Sequence, residues 1–106
     1  MPEINIQPEY LEEIKAILNR YVPDAEVWAY GSRVGGSCHE GTDLDLVLRN
    51  SSDLGAPIRE IGAVKEAIGE SNVPFLVDVL DWARLPRSFQ EEIEKNYMVI
   101  EGRDED

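Results

Sequence analysis

The chain has 106 residues, and its 10 lysines and arginines against 22 aspartates and glutamates give a formal charge of −12. That length supports one domain with one core, and 42% hydrophobic with 30% charged residues is the composition of a folded protein. The acidity argues against direct binding to nucleic acid or to anionic membranes and favours a basic partner. We find neither a signal peptide nor an apolar stretch near the roughly 20 residues that span a bilayer, and we therefore expect a cytoplasmic protein.

The first part of the chain predicts a helix followed by a strand that ends in a tight turn. Apolar residues recur at helical spacing from Pro8 to Tyr21, and Pro23 closes the segment. Residues 26–30 are short, β-branched and aromatic, which is typical of a strand, and they lead directly into Gly31. A glycine-rich polar loop follows.

Alternation with period two predicts the second strand over residues 43–48. Its leucines would face one side of a sheet, whereas Asp43, Asp45 and Val47 would face the other, because successive side chains of a strand alternate. The two carboxylates are therefore predicted to be neighbours on one face. The alternative for this pair alone is a solvent-facing polar strand edge.

The second part of the chain predicts a helix after Pro57, from Ile58 to Ile68, and a third strand over 73–80, which is almost wholly apolar except for Asp78. A third helix and a last short strand that ends at Ile100 follow. The element order α β β α β α β predicts an α/β (α+β) fold in which helices cover a small mixed β-sheet.

We expect residues 1–100 to form this single domain and residues 101–106 to form an acidic, flexible tail.

Asp78 lies in a run where we expect poor solvation, and a buried carboxylate is unfavourable unless it is paired, protonated or bound to metal. If Asp78 lies beside Asp43 and Asp45, like charges about 4 Å apart repel by roughly 4 kcal/mol per pair at an effective dielectric of about 20. A cation would remove that repulsion. Such a trio can hold two Mg²⁺ ions at a phosphoryl or nucleotidyl transfer site. Asp81 is the second candidate for the third carboxylate, but it is out of phase with Asp78 and is expected to mark the strand end.

The turn Gly31-Ser32 offers a phosphate cradle. A glycine allows close backbone approach to a phosphate, the Ser32 hydroxyl and nearby amides can donate hydrogen bonds, and Arg33 adds a charged fork. The alternative is an ordinary turn in which Ser32 caps the next segment.

Together, the run Gly31-Ser32-Arg33, the stretch 42–46 around Asp43 and Asp45, and the later Val77-Asp78-Val79 resemble the minimal nucleotidyltransferases of the DNA polymerase β superfamily. In that family the glycine-serine turn holds the nucleotide triphosphate, which implies this role for Gly31, Ser32 and Arg33. The resemblance also implies that Asp43 and Asp45 hold Mg²⁺, and that Asp78 completes the metal site and helps to activate the acceptor hydroxyl.

Small members of this family act as antitoxins encoded beside HEPN ribonuclease toxins, and some transfer AMP from ATP to a tyrosine of the toxin. The resemblance therefore implies a Mg²⁺-dependent antitoxin that moves AMP from ATP to a hydroxyl, a tyrosine, of a HEPN-type partner in a hetero-oligomer. The alternative is a non-catalytic acidic module that neutralises a basic toxin by occlusion. The charge of −12 and Val34-Gly35, where the family commonly has a basic residue, favour this alternative.

Overall fold

The computed structural model describes residues 7–31 and 44–101. Within them the elements are α1 (Pro8–Tyr21), β1 (Ala25–Tyr30), β2 (Leu44–Asn50), α2 (Ile61–Gly69), β3 (Val77–Asp81), a 3₁₀ turn (Trp82–Arg84), α3 (Arg87–Glu94) and β4 (Tyr97–Glu101). This is the predicted order with one addition, the 3₁₀ turn, and the predicted fold class is confirmed. Among the described helices, none combines the length and the apolar character needed to cross a membrane.

The four described strands form one mixed sheet in the order β3-β2-β1-β4. β1 pairs antiparallel with both β2 and β4, whereas β3 lies parallel to β2. β1 and β2 are therefore the central strands, and β3 and β4 form the edges of the sheet.

One face of the sheet packs against α1 and α2. The alternating side chains of β1 and β2 meet the apolar faces of both helices there, so the predicted leucine face of β2 is confirmed. We call this group the first core cluster; its buried members are Ile14, Leu18, Val22, Ala25, Val27, Ala29, Leu44, Leu46, Leu48, Val64, Ile68 and Val79.

The opposite face packs against the 3₁₀ turn and α3. A smaller group, the second core cluster, consists of Trp28, Tyr30, Val47, Trp82 and Ile93. The rings of Trp28 and Trp82 meet edge to face at 5.4 Å, which is a favourable aromatic geometry. This face also carries the odd-numbered positions of β2, among them Asp45, and is therefore where a site can form.

Two predicted boundaries were wrong. The third strand begins at Val77 rather than at 73, because Pro74 lacks an amide hydrogen and is disfavoured inside a paired strand. The second helix begins at Ile61 rather than near Pro57. The amide of Ile58 donates instead to Asp81 Oδ2 at 3.0 Å, a contact between residues 23 positions apart that no local pattern predicts.

Candidate functional site

Three polar side chains lie in one row across the second face of the sheet. Tyr30 of β1 is the register partner of Asp45 of β2, and Asp45 is the register partner of Asp78 of β3. All three belong to the same face, because a chain neighbour of each is buried in the first core cluster on the other side. Neighbouring strands lie about 4.8 Å apart, so the register brings the carboxylates of Asp45 and Asp78 together. We call these three residues the carboxylate row.

Gly31 brings the predicted phosphate turn against this row. Its φ of +87° is the one positive φ among the described residues, and it lies in the left-handed region that favours glycine. A Cβ atom at this position would lie 2.5 Å from Asp45 Oδ2. The missing side chain of Gly31 therefore provides the space in which the Asp45 carboxylate lies, in addition to allowing close approach of a phosphate.

The expected poor solvation of Asp78 was wrong. Asp78 is exposed, because β3 is an edge strand and the apolar run around it is itself partly open to solvent. Leu76, which directly precedes β3, is 73% exposed. Burial of Asp78 therefore gives no argument for a cation, and the argument rests on its closeness to Asp45.

Asp81 has a different role from Asp78. Its side chain is buried and accepts hydrogen bonds from the amides of Ile58 and Ala83 at 3.0 and 3.3 Å. The guanidinium of Arg84 lies 3.5 Å away on the solvent side. Asp81 thus ends β3, as its phase relative to Asp78 predicted, and it also caps the 3₁₀ turn and takes no part in the row.

Tyr30 is a member of the row that the sequence pattern placed in the first strand without a role in the site. It is 9% exposed. Burial, and after it the negative charges of Asp45 and Asp78, raise the pKa of the Tyr30 phenol well above its usual range. The phenol therefore remains a neutral hydrogen-bond donor beside two carboxylates. The sequence signal for this role is its position at the end of β1, directly before Gly31.

A small cleft opens beside Gly31, between the end of β1 and α3. Its volume is about 240 Å³, and its walls are Tyr30, Gly31, Phe89, Glu92, Ile93 and Asn96. The ring of Phe89 is 36% exposed and meets the ring of Tyr30 edge to face at 6.0 Å. We call this space the α3 cleft.

The predicted site residues Ser32, Arg33 and Asp43 lie outside the described residues. Within residues 7–31 and 44–101, no group of three histidine, cysteine, aspartate or glutamate side chains could hold a metal ion. The pair Asp45 and Asp78 nevertheless fits Mg²⁺, because this hard cation prefers carboxylate oxygens and binds through one or two of them. Asp43 is the predicted third ligand.

Similarity to known proteins shows the family of this chain. The family described as polymerase beta, nucleotidyltransferase, matches residues 12–106. The chain is 41% identical over 102 residues to the probable protein adenylyltransferase MntA of Haemophilus influenzae, an alignment that covers 96% of this chain and 88% of that protein. The chain belongs to the polymerase β nucleotidyltransferase family, and the predicted enzyme class, a nucleotidyltransferase, is confirmed.

A solved structure of a toxin-antitoxin with AMP-PNP has the same fold. It superposes with a TM-score of 0.71 at 15% identity, and the match covers 89% of this chain and 74% of that chain. At this level of identity the likeness supports the shared architecture.

Proposed function

We propose that this protein is an antitoxin that transfers AMP from ATP to a hydroxyl group of a partner toxin. The carrying observation is the contact between the Gly31 turn and Asp45, which is itself in register with Asp78. This arrangement joins a predicted phosphate turn to two carboxylates on one sheet face. The similarity to a probable protein adenylyltransferase, and to a toxin-antitoxin structure with AMP-PNP, supports the choice of donor and of partner.

The partner we propose is a HEPN-type toxin with a tyrosine acceptor, bound in a hetero-oligomer. The exposure of Asp78 at the edge of the sheet supports a macromolecular acceptor, because a hydroxyl on another protein can reach this carboxylate from solvent. The exposed Leu76 directly precedes β3 and offers an apolar contact beside the site.

Each residue of the site has a distinct task in this reaction. The triphosphate lies along Gly31, Ser32 and Arg33, with its α-phosphate next to Asp45. Asp78 orients the acceptor hydroxyl, whose oxygen forms the new bond to the α-phosphorus as the bond to pyrophosphate breaks. The hydroxyl proton leaves toward the Asp78 carboxylate and solvent.

Asp43, Asp45 and Asp78 would hold Mg²⁺, which when bound supplies positive charge for the α-phosphate and for the leaving pyrophosphate. Tyr30 stays neutral next to these carboxylates and adds no further negative charge to a site that must accept a polyanion.

The test is transfer of label from ATP to protein. Purified protein is incubated with Mg²⁺, an extract of its source cells and ATP labelled at the α-phosphate or, in parallel, at the γ-phosphate. We expect label from the α position alone, on one discrete protein. Loss of an outer-shell partner of a bound metal typically lowers activity by about 10–100-fold. Asp45 would contact the metal directly, so Asp45→Asn should lower the transfer rate by more than that.

Asp24→Asn is the matched control, because it removes the same charge from an exposed turn that follows α1, outside the site. It should leave labelling unchanged. Full transfer by Asp45→Asn would contradict the proposed mechanism.

The charge of −12 favours one other function, the occlusion of a basic toxin without catalysis. An enzyme silences its partner at substoichiometric amounts and leaves a covalent mark, whereas occlusion requires stoichiometric protein. Titration of toxin activity with wild type and Asp45→Asn separates the two. Equal inhibition by both proteins, at one equivalent, would favour occlusion.

A further inference from the structure

We propose that the α3 cleft binds the nucleoside part of the donor nucleotide, with Phe89 as the stacking surface for the base. This inference rests on the proposed function, since it requires that the Gly31 turn holds the triphosphate. It adds the part of the nucleotide site that the carboxylate row and the turn leave open. No pattern in the sequence indicated where a base would lie.

The α3 cleft lies directly beside the predicted phosphate turn. Phosphates and nucleoside are covalently joined, so a nucleotide with its α-phosphate beside Asp45 must place its sugar close to Gly31 and its base beyond the sugar, near the same end of β1. The α3 cleft shares both Gly31 and Tyr30 with the site. Two other cavities formed by described residues lie elsewhere: one is at the opposite ends of β1 and β2, near Ala25 and Asn50, and one lies beside α2.

The lining of the α3 cleft includes side chains that can contact a base. The exposed ring of Phe89 contacts the ring of Tyr30 edge to face. It therefore leaves an apolar surface on which a base can stack. The side-chain amide of Asn96 can both donate and accept, which matches the paired donor and acceptor on the edge of adenine. Both side chains are exposed in the absence of nucleotide.

The charge of the cleft is compatible with a polyanionic ligand. Among the described residues that line it, Glu92 is the one carboxylate, and the ammonium of Lys95 lies 3.0 Å from Glu92 Oε2. This ion pair offsets the negative charge, while the carboxylate can still accept a hydrogen bond from a ribose hydroxyl or an exocyclic amine.

The size of the cleft fits part of a nucleotide. Its volume of about 240 Å³ lies below the range of roughly 300–1,000 Å³ for pockets that enclose a whole drug-sized ligand. A nucleoside can enter it while the triphosphate stays on the Gly31 turn.

The experiment compares a triphosphate probe that carries the nucleoside with one that lacks it. Binding of AMP-PNP and of inorganic tripolyphosphate, both with Mg²⁺, is measured by calorimetry for wild type, Phe89→Ala and Asn96→Ala. We expect Phe89→Ala to weaken AMP-PNP binding by about tenfold or more, as loss of one base-aromatic stack typically does. Tripolyphosphate binding should be unchanged in both variants.

Leu54→Ala is the matched control, since Leu54 is an apolar side chain of similar exposure, 43%, outside the cleft. Phe89→Leu is a second variant that keeps apolar packing against Tyr30 but removes the ring, and it decides the question if Phe89→Ala does not fold. It should weaken AMP-PNP binding and leave tripolyphosphate binding intact.

The outcomes separate the two proposals. Wild-type affinity for AMP-PNP in the Phe89 and Asn96 variants overturns the cleft and leaves the proposed function standing. Equal weakening of both probes also overturns it, because the effect is then not on the nucleoside. If neither probe binds to wild type, both the proposed nucleoside site in the α3 cleft and the nucleotide site of the proposed function are wrong.

Discussion

Gly31 is constrained twice, by its backbone and by its neighbour. A left-handed φ is unfavourable for residues with a side chain by about 1–2 kcal/mol. The space that a methyl group would need is occupied by Asp45 Oδ2, 2.5 Å from the Cβ position. We expect Gly31→Ala to lower the free energy of unfolding by about that 1–2 kcal/mol, measured by urea denaturation. We also expect it to abolish AMP transfer, because the methyl group displaces the Asp45 carboxylate.

The same substitution elsewhere provides the control. Gly62 lies in α2, and a Cβ atom there would meet nothing within 4 Å. Gly62 is in the first turn of α2, so Gly62→Ala should raise stability by at most about 0.5–1 kcal/mol, the difference between alanine and glycine inside a helix, with no change in transfer. Normal activity in Gly31→Ala would show that Asp45 does not need its present position.

At the scale of single elements, β3 carries two aspartates with opposite roles. Asp78 is exposed and belongs to the carboxylate row, whereas Asp81 is buried and accepts two backbone hydrogen bonds. We expect Asp81→Ala to lower the free energy of unfolding by about 1–3 kcal/mol, because it leaves those two amides without their acceptor. The transfer rate of the folded fraction should be retained.

Asp78→Asn should show the reverse pattern. Substitutions at exposed positions usually change stability by no more than about 0.5 kcal/mol, and removal of this charge relieves repulsion with Asp45, so its urea midpoint without Mg²⁺ should be no lower than that of wild type. Its transfer rate should fall together with that of Asp45→Asn. If Asp78→Asn transferred AMP normally while Asp81→Ala did not, the two assignments would have to be exchanged.

The elements also show what a sequence can and cannot predict here. The faces of β2 follow from a local alternation, so its leucine face and the outward direction of Asp45 were predicted correctly. The exposure of Asp78 was not, because it depends on the strand order β3-β2-β1-β4, which is set by pairing between distant segments. The start of α2 depends in the same way on the distant acceptor Asp81.

For the site as well, local patterns predicted some features, whereas features that depend on distant segments were missed. The pairing of Asp45 with Asp78 agrees with the motif, and their roles as metal ligands stay predictions, as do those of Ser32, Arg33 and Asp43. Tyr30 was missed as a site residue, because an aromatic residue in a strand gives the same pattern whether it packs or faces a site. The α3 cleft was missed because its walls, the end of β1 and α3, are distant in sequence.

At the scale of the whole molecule, the charge of −12 complicates any test for Mg²⁺, since a divalent cation screens every acidic group. A specific site must therefore be detected as a difference between variants of equal charge. Asp45→Asn and Asp24→Asn each remove one negative charge, but Asp45 alone of the two lies in the carboxylate row.

We expect Mg²⁺ to raise the thermal unfolding midpoint of wild type and of Asp24→Asn by similar amounts, and that of Asp45→Asn by less. A ligand at ten times its Kd contributes about 1.4 kcal/mol of stability, because binding to the folded state alone adds RT ln(1 + [L]/Kd). For a domain of this size that corresponds to a shift of several degrees, about 4–8 °C for each kcal/mol. Scanning calorimetry with Mg²⁺, and with Na⁺ at matched ionic strength, measures the difference. Equal responses of all three proteins to Mg²⁺ would mean that the cation acts on the net charge and that Asp45 is not one of its ligands.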